Sequence, residues 1–146
     1  MFSKGQIIYF MPFFFKNGNT SKNKYFIVLK NIDDKIIIAS LPTRSNKAPG
    51  LIDIAHGCIN HDDRSFNCYI FESNRVITDN GFCFDMNTYV YGNEVEDYEA
   101  AILSSIYAIE GVDYEIVGQL TEAEYNSLYT CIQTSSSTKR KIKKLL

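Results

Sequence analysis

The chain has 146 residues, of which 45% are hydrophobic and 22% are charged, which is typical of one globular domain with a single core. No run approaches the roughly 20 consecutive apolar residues that a membrane-spanning helix needs, and the N-terminus lacks the pattern of a signal peptide. We therefore expect a cytoplasmic protein with no membrane partner. Ten Tyr and ten Phe with no Trp favour β-strands.

The formal net charge of −2 is unevenly distributed along the sequence. Residues 1–75 hold ten Lys or Arg and six Asp or Glu, residues 76–138 hold eleven acids and no Lys, Arg or His, and residues 139–146 hold five bases. This distribution predicts an anion-binding surface on the first half and an anion-repelling surface on the second. The alternative is that the acidic loops only solvate the surface.

The first 41 residues predict a β-meander. Apolar runs at 6–11, 25–29 and 35–41 are each typical of a strand, and Pro12 closes the first of them. Residues 16–24 are polar and rich in turn-forming residues, so we expect a loop there. The short turn at 31–34 makes the second and third strands a hairpin.

The middle of the chain predicts further strands separated by polar loops. A loop at 42–50 is followed by strand patterns at four places, namely 51–55, 67–71, 88–91 and 114–120. Between them, a short helix at 97–104 fits the ambiguous stretch best.

The last part of the chain predicts an amphipathic helix. Thr121 and Glu124 form a T-x-x-E capping box, which satisfies free N–H groups where a helix begins. Tyr125, Leu128 and Ile132 follow at helical spacing on one apolar stripe. We expect a single domain over residues 1–138 and a basic C-terminal tail over 139–146.

The cysteines and histidines predict no metal site and no cofactor. The chain has four irregularly spaced cysteines, Cys58, Cys68, Cys83 and Cys131. In a reducing compartment such residues are expected to be small buried hydrophobes rather than disulfide partners. His56, Cys58 and His61 form an H-x-C-x-x-H cluster, but it lacks the paired spacing of a zinc site.

Short motifs at both ends of the chain resemble those of one known family. Residues 4–8 (Lys-Gly-Gln-Ile-Ile) look like its opening K-G-D-I-V motif, and residues 24–29 resemble its R-P-x-x-V-L strand. Residues 36–43 resemble the next strand, which ends in Thr or Ser, and residues 118–121 are similar to its closing G-x-L-[ST]. The family is that of the PemK/MazF ribonuclease toxins, and the match covers about the first third and the last fifth of the chain.

This resemblance implies a mostly β (α+β) fold, an SH3-like, PemK-type small barrel with a C-terminal amphipathic helix. It also implies a toxin of the type II toxin–antitoxin class that cleaves single-stranded RNA without a metal, using the substrate's own 2′-OH as the nucleophile. The implied partners are RNA, a cognate antitoxin protein and a second copy of the chain in a homodimer.

The resemblance places the family's catalytic Arg at Lys24 and its Thr or Ser at Thr43. Histidine is readily tuned for proton transfer near neutral pH, so His61 is a third catalytic candidate. For each of the three, an ordinary surface or turn residue is the alternative.

Four basic residues are candidates for binding the RNA backbone: Lys22, Arg44, Lys47 and Arg64. Phe13, Phe14 and Phe15 are candidates for stacking on unpaired bases, or else they pack in the core. The alternative function is a non-catalytic SH3-like module that binds proteins.

Overall fold

A computed structural model describes residues 2–41, 55–64 and 66–146. Within these ranges the chain is mostly β, with eight strands in two antiparallel sheets and three helices. The strands are β1 (Gln6–Phe13), β2 (Lys22–Ile32), β3 (Lys35–Leu41), β4 (Gly57–His61), β5 (Phe66–Phe71), β6 (Thr88–Tyr91), β7 (Val95–Glu99) and β8 (Tyr114–Gln119). The helices are α1 (Ala100–Ile106), α2 (Glu122–Thr134) and α3 (Arg140–Lys143).

The larger sheet has five strands in the order β7-β3-β2-β1-β8. The predicted hairpin of β2 and β3 is confirmed, and its tight turn places Asp33 at φ 53°. β2 begins earlier than predicted, at Lys22, which pairs with Phe13 of β1. The sequence placed residues 22–24 in a loop because they are polar, but ladder pairing with β1 overrides that local preference.

The five-stranded sheet buries side chains on both of its faces. On one face, Ile27 and Leu29 of β2 and Ile37 of β3 join a core that includes residues of α2, α3 and the smaller sheet. We call this the closed face. On the other face, Phe26 and Ile38 join a separate core with β1 and α1, and we call it the open face. Burial on both sides explains why the central strands read as continuous apolar runs.

The smaller sheet has three strands in the order β4-β5-β6. β5 and β6 confirm the strands predicted at 67–71 and 88–91. Tyr69, Phe71 and Val90 of this sheet belong to the core of the closed face.

The helix predicted at 97–104 is wrong in its first half. Residues 95–99 form β7, which pairs along β3 from Ala39 to Lys35, and α1 begins only at Ala100. The hydrophobic pattern of this segment is ambiguous, and residues 95–99 form a strand because they pair with the free edge of β3. The strand predicted at 51–55 lies almost wholly outside the described residues.

The capped helix after residue 121 is confirmed. The Thr121 hydroxyl accepts a hydrogen bond from the Glu124 N–H at 3.3 Å, and Leu128 and Ile132 of α2 are fully buried. The segment 139–146 contains α3, whose Ile142 is buried in the closed-face core.

None of the helices in the described ranges has the length and apolar character that crossing a membrane requires.

Candidate functional site

A groove of about 680 Å³ lies on the open face, at the end of the sheet where β2 begins and β3 ends. Its base includes Phe26, Ile38 and Ser40, and Phe26 lies directly opposite Ser40 in the β2–β3 pairing. The volume falls within the range of sites that bind small molecules or parts of larger ligands.

Lys22 and Lys24 of β2 form one wall of this groove, which we call the lysine wall. Their ammonium groups lie 5.9 Å and 5.8 Å from the centre of the Phe15 ring, which is at the rim. Such contacts leave the charge available to a further ligand while the ring holds the side chains in place.

The pKa of Lys24 is lowered from its ordinary value of 10.5. Burial is the largest cause, because it removes water from the charged form, and the nearby charge of Lys22 adds to it. Glu94 acts in the opposite direction. Lys24 is therefore a cation that gives up its proton more readily than a solvated lysine.

The opposite side of the groove carries acids, Glu94 and Glu96, which we call the acidic wall. Glu96 forms an ion pair with Lys139. Glu94 forms no ion pair within 4.0 Å among the described parts of the chain. The two walls are separated by β3, which lies between β2 and β7 in the sheet.

The acids of β7 are neutralised by bases from distant parts of the sequence. Asp97 lies 3.4 Å from Lys35, 3.9 Å from Lys141 and 4.0 Å from Lys16. Burial alone would raise the pKa of Asp97, but these cations lower it overall. Around β7 the charges are therefore mixed in space, although the sequence predicts their separation into two surfaces.

The structure places one predicted catalytic residue, Lys24, and one predicted RNA-binding residue, Lys22, in the same groove. Three other candidates, Thr43, Arg44 and Lys47, lie outside the described residues.

His61, a predicted catalytic residue, is not among the residues that line the groove. It is exposed at the end of β4, where the neighbouring Asp62 accepts a hydrogen bond from Ser136 at 2.8 Å. The backbone of Arg64 belongs to the short 3₁₀ turn that follows, Asp62–Arg64.

The three consecutive phenylalanines have three different environments. Phe13 is fully buried in the core of the open face and Phe14 is 55% exposed. Phe15 lines the groove and packs edge-on against Phe13, with ring centres 5.3 Å apart. Of the three, only Phe15 is placed to stack on a ligand in the groove.

A hydrogen-bonded network joins the smaller sheet to α2. The Glu124 carboxylate accepts hydrogen bonds from His56 Nε2 and, at 2.9 Å, from the Tyr69 hydroxyl. His56 Nδ1 accepts from the Glu72 N–H at 3.1 Å. Because both ring nitrogens are engaged, His56 links elements and is not a free base.

The contact between β4 and α2 contradicts the prediction for two of the cysteines. Cys58 of β4 and Cys131 of α2 form a disulfide with their Cα atoms 5.6 Å apart, so the prediction that all four are thiols is wrong for this pair. Cys68 is a buried thiol, as predicted, and Cys83 is also free. Burial raises the pKa of Cys68 to about 12.

The H-x-C-x-x-H cluster does not form a metal site. The Cys58 sulfur forms a disulfide bond with Cys131, and His56 is hydrogen-bonded to Glu124. Across the described ranges, no group of three or more His, Cys, Asp or Glu side chains is arranged to hold a metal ion.

Sequence reasoning missed the acidic wall and the Glu124 network. Glu96 was missed because its segment was not recognised as an edge strand, β7, and Glu94 was missed because it lies in the short turn, Gly92–Glu94, that precedes this strand. Glu124 was interpreted only as a capping residue, and its distant partner, His56, had no local signal.

Comparisons of the chain with protein-family models, with curated proteins and with solved structures gave no match.

Proposed function

We propose that the chain is a toxin-like endoribonuclease of the PemK/MazF type, built on an SH3-like barrel, which cleaves single-stranded RNA in the groove without a metal. The observation that carries the proposal is the placement of Lys24. The resemblance aligns Lys24 with the family's catalytic Arg, and Lys24 lines the groove with Lys22 and Phe15 and has a lowered pKa. The order of the elements, a meander followed later by a capped C-terminal helix, is also the order that the resemblance implies.

The groove offers the two kinds of contact that single-stranded RNA uses. Lys22 and Lys24 neutralise phosphates, which is the salt-sensitive part of nucleic-acid affinity. The Phe15 ring provides a surface on which a base stacks. Ser40 of β3 lines the groove, and β3 ends at Leu41, two residues before Thr43 in the sequence.

Lys24 acts in the proposed reaction as a cation and as a proton donor. The substrate's 2′-oxygen attacks the adjacent phosphorus and loses its proton to solvent, while the bond from phosphorus to the 5′-oxygen breaks. The Lys24 ammonium stabilises the added negative charge and donates a proton to the departing 5′-oxygen. The products are a 2′,3′-cyclic phosphate and a 5′-hydroxyl, and Thr43 donates a hydrogen bond to a phosphate oxygen.

The test is cleavage of a long single-stranded RNA by the purified protein in EDTA. We expect cutting at discrete sites, with the rate falling at least a hundredfold in Lys24→Ala and substantially in Thr43→Ala. Lys4→Ala is the matched control, because Lys4 is an exposed lysine that lies over Tyr125 and outside the groove. Cutting that survives both Lys24→Ala and Thr43→Ala would overturn the proposal.

The pH dependence gives a second test of the Lys24 role. Because the ammonium form is the active one and its pKa is lowered, the rate falls on the alkaline side at a pH below 10.5. Lys24→Arg moves this fall to higher pH, since a guanidinium stays protonated. An alkaline limb that is unchanged in Lys24→Arg would contradict the assignment.

A non-catalytic SH3-like module is the second candidate, and the acidic wall favours it. Glu94, which forms no ion pair within the described ranges, is suited to a basic peptide rather than to RNA. A folded protein that cuts no RNA but binds an oligolysine peptide, with loss of binding in Glu94→Gln, would favour this candidate.

An exposed apolar patch supports the proposed protein partners, a second copy of the chain or an antitoxin. Its members, which line one surface depression, are Phe14, Ile102 and Ile106, each 46% to 55% exposed. Patches of this kind mark protein–protein contacts. Sedimentation of the wild type as a dimer and of Ile106→Asp as a monomer would assign the patch to self-association.

A further inference from the structure

Acidic residues in a groove that binds RNA need a physical reason. A carboxylate repels a polyanion, so its presence beside phosphate-binding lysines is unfavourable unless the ligand brings hydrogen-bond donors to it. Glu96 is neutralised by Lys139, whereas Glu94 has no ion pair among the described residues. Glu94 is therefore the carboxylate in the groove that is available to a ligand.

The position of Glu94 relative to the lysines suits a nucleotide that spans the groove. Val95 pairs with Ala39 of β3, and Glu94, the residue before it, ends a 3₁₀ turn, Gly92–Glu94, and lines the groove together with Ser40. Lys24 lies on β2, on the other side of β3 and two residues before Phe26, which pairs with Ser40. The two strand spacings between β2 and β7 amount to about 10 Å, and the charge of Glu94 acts on Lys24 across the groove. A phosphate on the lysine wall therefore leaves the base of the same nucleotide pointing towards Glu94, with Phe15 at the rim.

We infer that the groove selects a guanine base, whose N1–H and N2 amino group donate to the Glu94 carboxylate while the adjoining phosphate lies against Lys22 and Lys24. This inference rests on the proposed function. The pairing is a two-point, charge-assisted hydrogen bond, which is both stronger and more selective than a neutral one.

The other three bases do not present two adjacent donors on the Watson–Crick edge. Adenine offers one amino group beside an acceptor nitrogen, and cytosine does the same. Uracil has one N–H between two carbonyl oxygens, which repel a carboxylate. The unpaired bases of single-stranded RNA expose this edge for reading, so Glu94 distinguishes guanine from all three.

The experiment measures the fluorescence anisotropy of labelled 2′-O-methyl pentanucleotides, which cannot be cleaved because the nucleophile is blocked. The central base is guanine, hypoxanthine or adenine and the flanking bases are uracil. We expect the guanine probe to bind at least about tenfold more tightly than the adenine probe. Hypoxanthine keeps N1–H but lacks the N2 amino group, and its affinity falls between the two.

Two variants test whether the preference for guanine depends on Glu94. In Glu94→Gln the guanine probe binds no better than the adenine probe, because a neutral amide cannot accept both donors equally well. Glu115→Gln is the matched control, an exposed acid on β8 outside the groove, and keeps the preference. Thermal unfolding followed by circular dichroism checks that each variant is folded.

The outcomes separate the inference from the function on which it rests. Equal binding of the three probes, weakened by Lys24→Ala, would overturn the guanine assignment and leave RNA binding in place. A guanine preference that persists in Glu94→Gln would also overturn it. Binding of none of the probes, or binding unaffected by Lys24→Ala, would overturn the proposed function and the inference together.

Discussion

The two faces of the five-stranded sheet are made by the same strands but are covered to different extents. The closed face is filled completely, by α2, α3 and the smaller sheet. The open face is covered by aromatic residues and α1 over part of its length, and the remainder is the groove. The difference arises within single strands, because residues two positions apart in a strand point to the same face. On the open face, the polar Lys24 lies next to the apolar Phe26 in β2. In β3, the polar Ser40 likewise lies next to the apolar Ile38. Where an apolar row of side chains ends in polar residues, the core gives way to a polar groove.

The largest expected effect on the free energy of unfolding comes from removing a side chain from the core of the closed face. Ile132→Ala removes a fully buried side chain of α2, and we expect a loss of about 2–5 kcal/mol in the free energy of unfolding. Chemical denaturation measures it. The control is Ile102→Ala, at a position 53% exposed, where we expect a change within about 0.5 kcal/mol. Equal effects of the two substitutions would mean that α2 does not pack as described.

The second expected effect concerns the disulfide that ties β4 to α2 at the edge of the closed face. It closes a separation of 73 residues, so Cys58→Ser with Cys131→Ser lowers the free energy of unfolding by about 2–4 kcal/mol. Titration of the unreduced, denatured protein with a thiol reagent gives two thiols per chain, those of Cys68 and Cys83.

Cys83→Ser is the control for the disulfide prediction, because Cys83 is not bonded to another cysteine. It removes one of the two titratable thiols and leaves the unfolding free energy nearly unchanged. Four thiols in the wild type would contradict the pairing.

The third prediction concerns alkaline pH and the Tyr69 hydroxyl of the closed face. Burial, together with the charge and hydrogen bond of Glu124, raises the pKa of Tyr69 above its ordinary value of 10.0. The folded state therefore holds this proton more tightly than the unfolded state. The stability it contributes is complete below about pH 10 and is lost as the pH rises further.

Tyr69→Phe tests this account. At neutral pH we expect a loss of about 1 kcal/mol, that of a buried hydrogen bond, and above pH 10 the variant loses stability less steeply than the wild type. Denaturant titrations at a series of pH values measure both. An equal alkaline slope in the two proteins would show that Tyr69 does not carry the effect.

The sequence predicted what depends on neighbouring residues. β3, β5, β6 and α2 follow from short-range periodicity and from the Thr121 cap. Lys24 was identified as a candidate through the motif resemblance, and Lys22 as a basic residue for binding the RNA backbone.

The rest of the fold and site depends on pairs of residues that are far apart in the chain. Glu96 of β7 and Glu94 just before it line the groove because β7 pairs with β3. Glu124 contacts His56, which lies 68 residues away, and Cys131 lies 73 residues from Cys58. Periodicity within one segment carries no information about such partners, so the acidic wall and the disulfide required the structure.

The smallest expected effect on the free energy of unfolding is that of a substitution at Lys24, and it is the most direct test of the difference between the two faces. Its pKa is lowered chiefly by burial, so the folded state binds this proton less tightly than the unfolded state, and the charge opposes folding at neutral pH. We expect Lys24→Ala to change the free energy of unfolding by no more than about 0.5 kcal/mol, in the stabilising direction if at all. Lys35→Ala is the control, since it removes the ion pair with Asp97 and is expected to cost a few tenths of a kcal/mol.

Denaturation of both variants at neutral pH, beside the RNA-cleavage assay, tests this contrast. Loss of cleavage without loss of stability in Lys24→Ala means that the groove keeps its lysine for chemistry and not for folding. A loss of 2 kcal/mol or more would instead place Lys24 among the residues that hold the sheet together, and the open face would then differ from the closed face only in how completely it is covered.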